Sequence, residues 1–137
     1  MALRKNTKRL LFVVHKHHAS HLHYDVRLEH RGFLKSWAVP KGPPRRPKER
    51  RLAVMVEDHP LAYARFHGTI PKGEYGAGKV EIWDKGTYVP LHSFAGGLRR
   101  GHLTFILRGK KLKGEYALVK FKKQKNQWLL IKAHAKK

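Results

Sequence analysis

The sequence predicts a mostly β protein built as an antiparallel barrel or sandwich, and three features carry that expectation. Short runs rich in β-branched and aromatic residues recur along the chain. Glycine or proline punctuates most of the gaps between them. No segment shows a strong helical repeat.

In chain order, the expected strands are 10–16, 22–29, 34–39, 52–57, 79–84, 87–89, 103–108, 115–121 and 128–133. Residues 93–100 form the one plausible helix, weakened by the pair Gly96-Gly97. A helical turn over 61–66 can follow Pro60. The stretch PKGPPRRPK (40–48) reads as a surface loop, because repeated proline blocks both helix and central strand. Residues 1–9 form a basic arm and 134–137 a basic tail around a single domain, 10–133.

A chain of 137 residues fits one domain and can bury a core without disulfides or structural metals. Hydrophobic residues make up 41%, which argues against wholesale disorder. The 31 Lys and Arg against 9 Asp and Glu give a net charge of +22. Self-repulsion of that size opposes folding, and a polyanionic partner is the simplest reason to carry it. Nucleic acid is the expected partner. A membrane is not, since no amphipathic basic helix is visible. The absence of cysteine excludes disulfides, zinc ribbons and thiol catalysis. The apolar run LLFVV (10–14) is too short for a signal peptide or a membrane span, so a cytoplasmic location is expected.

The chemistry concentrates in HKHHASHLHYDVRLE (15–29). Read with a strand period, Leu22, Tyr24, Val26 and Leu28 share one face, and His21, His23, Asp25, Arg27 and Glu29 the other. His23 and Asp25, two residues apart, aim an imidazole and a carboxylate at one point and suit a divalent transition metal. A third ligand must come from elsewhere, with His17 and His59 as candidates. In RLAVMVEDH (51–59), Leu52, Val54 and Val56 are expected to face inward. Arg51, Met55, Glu57 and, if the strand continues, His59 share the other side. Arginine is the preferred bidentate phosphate ligand, and histidine can shuttle a proton. Lys41 in VPKGP is placed as a phosphate-contacting lysine can be. The loop PKGEYGAG (71–78) is not a phosphate-binding P-loop, because Lys79 is followed by Val80, and tight turning is its expected role. The HExxH and Gly-x-Ser-x-Gly motifs and the Lys-x-Asp-Gly site of nucleotidyl-transferring ligases are absent, as are the acidic clusters of two-metal nucleases.

The runs FVVHKHHASHLHYDVRLEHRGFLKSWAVPKGP, RLAVMVEDHPLAYARFHGTIPKGEYGAGKVEIWDKGTY and LRRGHLTFILRGKKLKGEYALV, with the closing WLLIK, resemble the 3′-phosphoesterase domain of bacterial DNA ligase D. The resemblance covers about residues 12–132 and suggests a free-standing member. It implies a compact antiparallel β-barrel with short flanking helices. It implies a metal, typically manganese with other divalent transition metals possible, held by His17, His23 and Asp25. It implies a phosphate site at Arg27, Arg51 and His59, with Lys41, Glu57 and Tyr63 also in active-site positions. The implied reaction is healing of DNA 3′ ends on primer-templates in non-homologous end joining. A terminal ribonucleoside is removed to leave a 3′-phosphate, which is then removed to leave a 3′-hydroxyl. The implied setting is a monomer working beside a separate ligase and polymerase. Because a longer basic arm helps the first step in relatives, the short arm here leads us to expect phosphate removal to be the more robust activity. The sequence also admits two other readings. One is a non-catalytic basic nucleic-acid-binding module. The other is an iron oxygenase using His23, Asp25 and a downstream histidine such as His102, with Arg108.

Overall fold

Strand pairing begins at the hairpin around Ala19–His21. Strand β1 (Leu10–His18) and β2 (Leu22–His30) run antiparallel, and β3 (Phe33–Val39) adds to β2 after a tight turn at Arg31-Gly32. Strand β4 (Arg50–Pro60) pairs with β3, followed by a 3-10 segment (Leu61–Arg65), β5 (Gly68–Ile70) and β6 (Gly78–Pro90). Helix α1 (Phe94–Arg100) leads into β7 (His102–Arg108), β8 (Lys113–Lys120) and β9 (Gln127–Lys132). The structure, a computed structural model, describes residues 9–121 and 125–133. The basic tail and residues 1–8 of the basic arm lie outside the described residues.

The strand order is β1-β2-β3-β4-β9-β8-β7-β6, and β6 pairs back onto β1 to close an eight-stranded antiparallel barrel, with β5 appended to the free side of β6. Closure removes the exposed edges that an open sheet of this size would carry. The expected barrel with short flanking helices is what forms. The barrel interior is filled by residues such as Phe12, Val14, Val26, Leu28, Trp37, Phe105, Tyr116 and Trp128. Trp37 and Trp128 meet edge to face at 5.6 Å.

Several expectations are corrected. Residues 79–84 and 87–89 are one continuous strand, because Gly86 serves close packing rather than a break: a Cβ there would overlap the Arg108 carbonyl. The short strand β5 was not anticipated. Helix α1 forms despite Gly96 and Gly97. Ser93 caps it by accepting from the Gly96 amide, and a Cβ at Gly97 would press to 2.7 Å from Leu103. The glycine pair therefore serves the helix's seat on β7. In the 40–48 loop the cations are exposed, but Gly42, Pro43 and Pro44 are buried, and Tyr116 donates to the Pro44 carbonyl.

The inward face of β4 is the reverse of the expected one. Ala53 is fully buried and Met55 packs on the barrel core, whereas Leu52 is 40% exposed. A register shift then inserts one extra residue into β4 opposite β3, between Val56 and His59. Such a bulge inverts the alternation beyond it. His59 therefore shares a face with Val56 and not with Arg51.

Candidate functional site

The hairpin register builds the site. His17 stands directly opposite His23, and His15 opposite Asp25. All four point to the outside of the barrel wall, away from Phe12, Val14, Val26 and Leu28. That side is nonetheless enclosed. The 3-10 segment and the loop before β6 close over it, and Val13, Leu34 and Ala64 form a second small apolar cluster beneath. His15, His17, Asp25, Arg27, Glu29 and Ser36 are all buried. The polar face of β2 is thus an interior of its own.

His17 Nδ1, His23 Nε2 and the Asp25 carboxylate converge, with candidate ligand atoms all within 4.8 Å of one another. The two ring nitrogens are 3.2 Å apart, and His23 Nε2 lies 3.2 Å from Asp25 Oδ1. The outer nitrogens are held by acceptors: His17 Nε2 donates to the Gly76 carbonyl at 2.9 Å, and His23 Nδ1 to the His21 carbonyl at 3.3 Å. A carbonyl can only accept, so each outer nitrogen carries its proton, and in the neutral rings both lone pairs aim at the carboxylate. Two lone pairs and a carboxylate meeting at this distance favour a cation between them. The hydrogen bond to Asp25 raises the His23 pKa against the opposing effect of burial. Burial alone would raise the Asp25 carboxyl, but the His23 bond and the Arg27 charge outweigh it and hold it below its ordinary value. One carboxylate with two imidazoles, each fixed from behind by a carbonyl, is a donor set that fits a divalent transition metal. It is the only such cluster found among the described residues.

Beside this cluster Arg27 is immobilised on every side. Its Nε donates to His15 Nδ1 at 2.9 Å, one Nη to Ser36 Oγ at 2.9 Å, and the other Nη to Asp25 at 3.1 Å. His59 Nδ1 lies 3.1 Å from the guanidinium, and the Tyr63 ring 5.0 Å from its carbon. His59 stacks on Tyr63 at 4.4 Å, and Tyr63 on Phe66 at 5.0 Å. Burial and the Arg27 charge pull His59 below the usual imidazole range. They pull the His15 pKa down to about 4, so His15 stays neutral and its Nε2 donates to the Phe66 carbonyl at 3.0 Å. Burial lifts the Tyr63 hydroxyl above its ordinary value, keeping it a donor. His17, His23, Asp25, Arg27, His59 and Tyr63 line one cavity of about 300 Å³, closed by Ala38, Val56, Ile70 and Tyr75.

Of the residues singled out from sequence, these six are brought together. Lys41 and Arg51 are not among them. They line a separate cavity near the Pro-rich loop, where Arg51 donates to the Lys41 carbonyl at 2.6 Å and pairs with Glu49 at 2.9 Å. Glu57 is exposed on the bulged part of β4 and reaches His59 through its charge and its carbonyl. His18 pairs with Glu81 at 3.0 Å, away from the cluster, and His21 is exposed. His102 and Arg108 are exposed at the two ends of β7, outside the cavity lining, so the third group beside His23 and Asp25 is His17 and not His102. Sequence reading missed His15 and Ser36, which hold Arg27, and the role of the 71–78 loop. That loop supplies the carbonyls for His17 and is pinned where Gly78 (φ +121°) crosses the His18 backbone too closely for any Cβ. His15 had a signal, since it is two residues from His17 on the same strand face. Ser36 had none.

Comparison with known proteins identifies the family. The family model described as the DNA Ligase D 3′-phosphoesterase domain matches residues 15–120. The chain is 54% identical over 133 residues to the multifunctional non-homologous end joining protein LigD of Pseudomonas aeruginosa, covering 95% of this chain and 16% of that protein. It is 50% identical over 117 residues to the LigD of Mycolicibacterium smegmatis, covering 81% of this chain and 15% of that protein. Over 109 residues it is 50% identical to the LigD of Mycobacterium tuberculosis, covering 80% of this chain and 14% of that protein. The chain thus spans about a sixth of the length of these relatives, and it belongs to the DNA ligase D 3′-phosphoesterase domain family.

Proposed function

We propose that this protein is a metal-dependent phosphoesterase that heals DNA 3′ ends during non-homologous end joining. It removes a 3′-terminal ribonucleoside to leave a 3′-phosphate, then removes that phosphate to leave a 3′-hydroxyl. The observation that carries the reading is the adjacency of two groups in one cavity: the His17–His23–Asp25 donor cluster and the immobilised Arg27 guanidinium.

Phosphoester hydrolysis is slow because anionic oxygens repel the nucleophile and further charge builds on the leaving oxygen. A divalent metal bound by His17, His23 and Asp25, manganese by family likeness, would supply Lewis-acid stabilisation of that charge. Arg27, fixed before the substrate arrives, keeps one Nη2 proton outside its protein bonds, which donates to a phosphoryl oxygen without reorganising. Water attacks phosphorus, and the bond to the leaving oxygen breaks. That oxygen is the 5′ oxygen of the terminal nucleoside in the first step and the 3′ oxygen of the strand in the second. It must take up a proton. His59, with Nδ1 accepting from Arg27, retains an Nε2 proton to donate, and the Tyr63 hydroxyl is a second donor. Glu57 acts on His59 through its charge. Lys41 and Arg51, in their own cavity, are assigned to strand phosphates next to the reacting one. The +22 charge supports a nucleic-acid substrate, and a separate ligase and polymerase are the expected partners.

The test is a labelled primer-template ending in a 3′-phosphate or a single 3′ ribonucleotide, incubated with and without manganese. Conversion to the 3′-hydroxyl only with metal is expected. Strand binding with no conversion under either condition would make the chain a binding module.

A further inference from the structure

We propose that Trp83 and the cations around it form a docking track for a single-stranded segment of nucleic acid, separate from the phosphoesterase cavity. A bulge places this residue. Val14 pairs with Asp84 and His15 with Ile82, so Trp83 is the extra residue in β6, without a partner on β1, and its half-buried side chain packs on the barrel core with the rest of the ring facing the cavities. It lies at the junction of two cavities, of about 540 and 380 Å³, and lines both. Neither cavity includes any member of the His17–His23–Asp25 cluster. The 3-10 segment lies between the sites: Tyr63 faces the phosphoesterase cavity, while Ala64 and Arg65 line the Trp83 groove.

The surroundings have the composition of a single-strand platform, an aromatic face set in a cationic groove. The Arg45 guanidinium stands 5.8 Å from the Trp83 ring and the Lys111 ammonium 5.3 Å. Tyr24 meets Trp83 edge-on at 5.4 Å, and Lys16 stands 5.9 Å from the Tyr24 ring. Both acidic residues in these cavities are engaged by protein groups. Glu49 pairs with Arg51, and buried Asp84 accepts from the amides of Lys110, Lys111 and Leu112 at 2.9, 3.1 and 2.8 Å. That clamp also fixes the loop carrying Lys110 and Lys111, so the groove is cationic and partly preorganised. A stacked base presents its phosphates to side chains of the length of Arg45 and Lys111, which exchange a weak contact over the ring for a charged one. Only an unpaired base can stack this way, so the track selects single strand over duplex.

The track rests on the proposed function only in taking nucleic acid as the substrate, and its test needs no turnover. Trp37 and Trp128 are buried in the barrel, so among the three tryptophans Trp83 is the one positioned to report binding. Titration of the full chain with an oligothymidylate ending in a 3′-hydroxyl should quench tryptophan emission, and a blunt duplex should not. Trp83→Leu should abolish the quench and weaken strand binding, measured by anisotropy, roughly 5- to 150-fold, the span of one base–aromatic stack. Trp83→Phe should retain most of the affinity, which separates stacking from misfolding. Lys111→Glu, at an exposed residue, should weaken binding while leaving hydrolysis of thymidine 3′-phosphate unchanged. Strand binding with unaltered emission, equal affinity of Trp83→Leu, or quenching by polyglutamate but not by oligonucleotide would each overturn the proposal. If the wild type binds and quenches but hydrolyses nothing, the phosphoesterase reading fails and the track stands.

Discussion

Alternate residues of β2 enter two different interiors. Val26 and Leu28, 1% and 0% exposed, join the apolar barrel core, while Asp25 and Arg27, 5% and 3% exposed, enter the polar enclosure on the other side. The barrel core is held by area removed from water and tolerates exchanges that conserve volume. The polar enclosure is held by directed bonds, each of which fixes a particular atom, and it adds little net stability because desolvation offsets the ion pairs. Substitutions on the two faces should therefore be read by different instruments, one by stability and the other by chemistry.

The largest effect short of removing a metal ligand is expected at Arg27. Arg27→Lys keeps a charge but loses the fork that reaches His15, Ser36 and Asp25 together, and release of phosphate from a 3′-phosphate end should slow by about 10²–10³. A slowing of only a few-fold would place transition-state stabilisation elsewhere. Next come the residues that position it. His15→Ala and Ser36→Ala should each cost about 10- to 100-fold in kcat, with manganese affinity nearly unchanged. A loss of metal affinity equal to the loss of rate would instead make them part of the metal site. On the apolar face, Leu28→Ala should lower unfolding stability by about 2–5 kcal/mol in chemical denaturation, yet leave the rate per folded molecule within about two-fold. If Leu28→Ala reduces rate as much as stability, the two interiors are not independent.

The smallest expected effect is a pH dependence. In the folded chain His15 titrates at about 4, against an ordinary value of 6.5. The unfolded chain therefore binds the proton first as pH falls. The stability contributed by keeping His15 neutral is full above about 6.5 and is lost as pH drops toward 4. Metal-free wild type should lose more stability across that window than His15→Gln. Parallel acid titrations of the two proteins would contradict this.

Much of the barrel was legible because strands with one apolar side obey a period of two, and residues 10–16, 22–29 and 34–39 fall on β1, β2 and β3. The candidate metal cluster was legible for a related reason: His23 and Asp25 sit on one strand face in a chain that holds few carboxylates. What was not legible depends on long-range pairing. The bulge that separates His59 from Arg51 exists only because β4 lies against β3, and no local feature of RLAVMVEDH records it. Likewise, alternation distinguishes the faces of β2 but does not say that both are covered, since the cover comes from Leu61–Arg65 and the 71–78 loop. Arg51 and Lys41, expected beside Arg27 from the resemblance, line a cavity of their own, a separation that spacing along the chain does not encode.

Manganese binding followed by electron paramagnetic resonance, on wild type and on Asp25→Ala and His23→Ala, tests most directly whether the enclosed polar face of β1 and β2 is a metal site, with circular dichroism as the check on folding. One tight manganese per wild-type chain is predicted, lost in both folded variants together with release of phosphate from the 3′ end. Manganese bound as tightly to folded Asp25→Ala and His23→Ala as to the wild type would contradict the account.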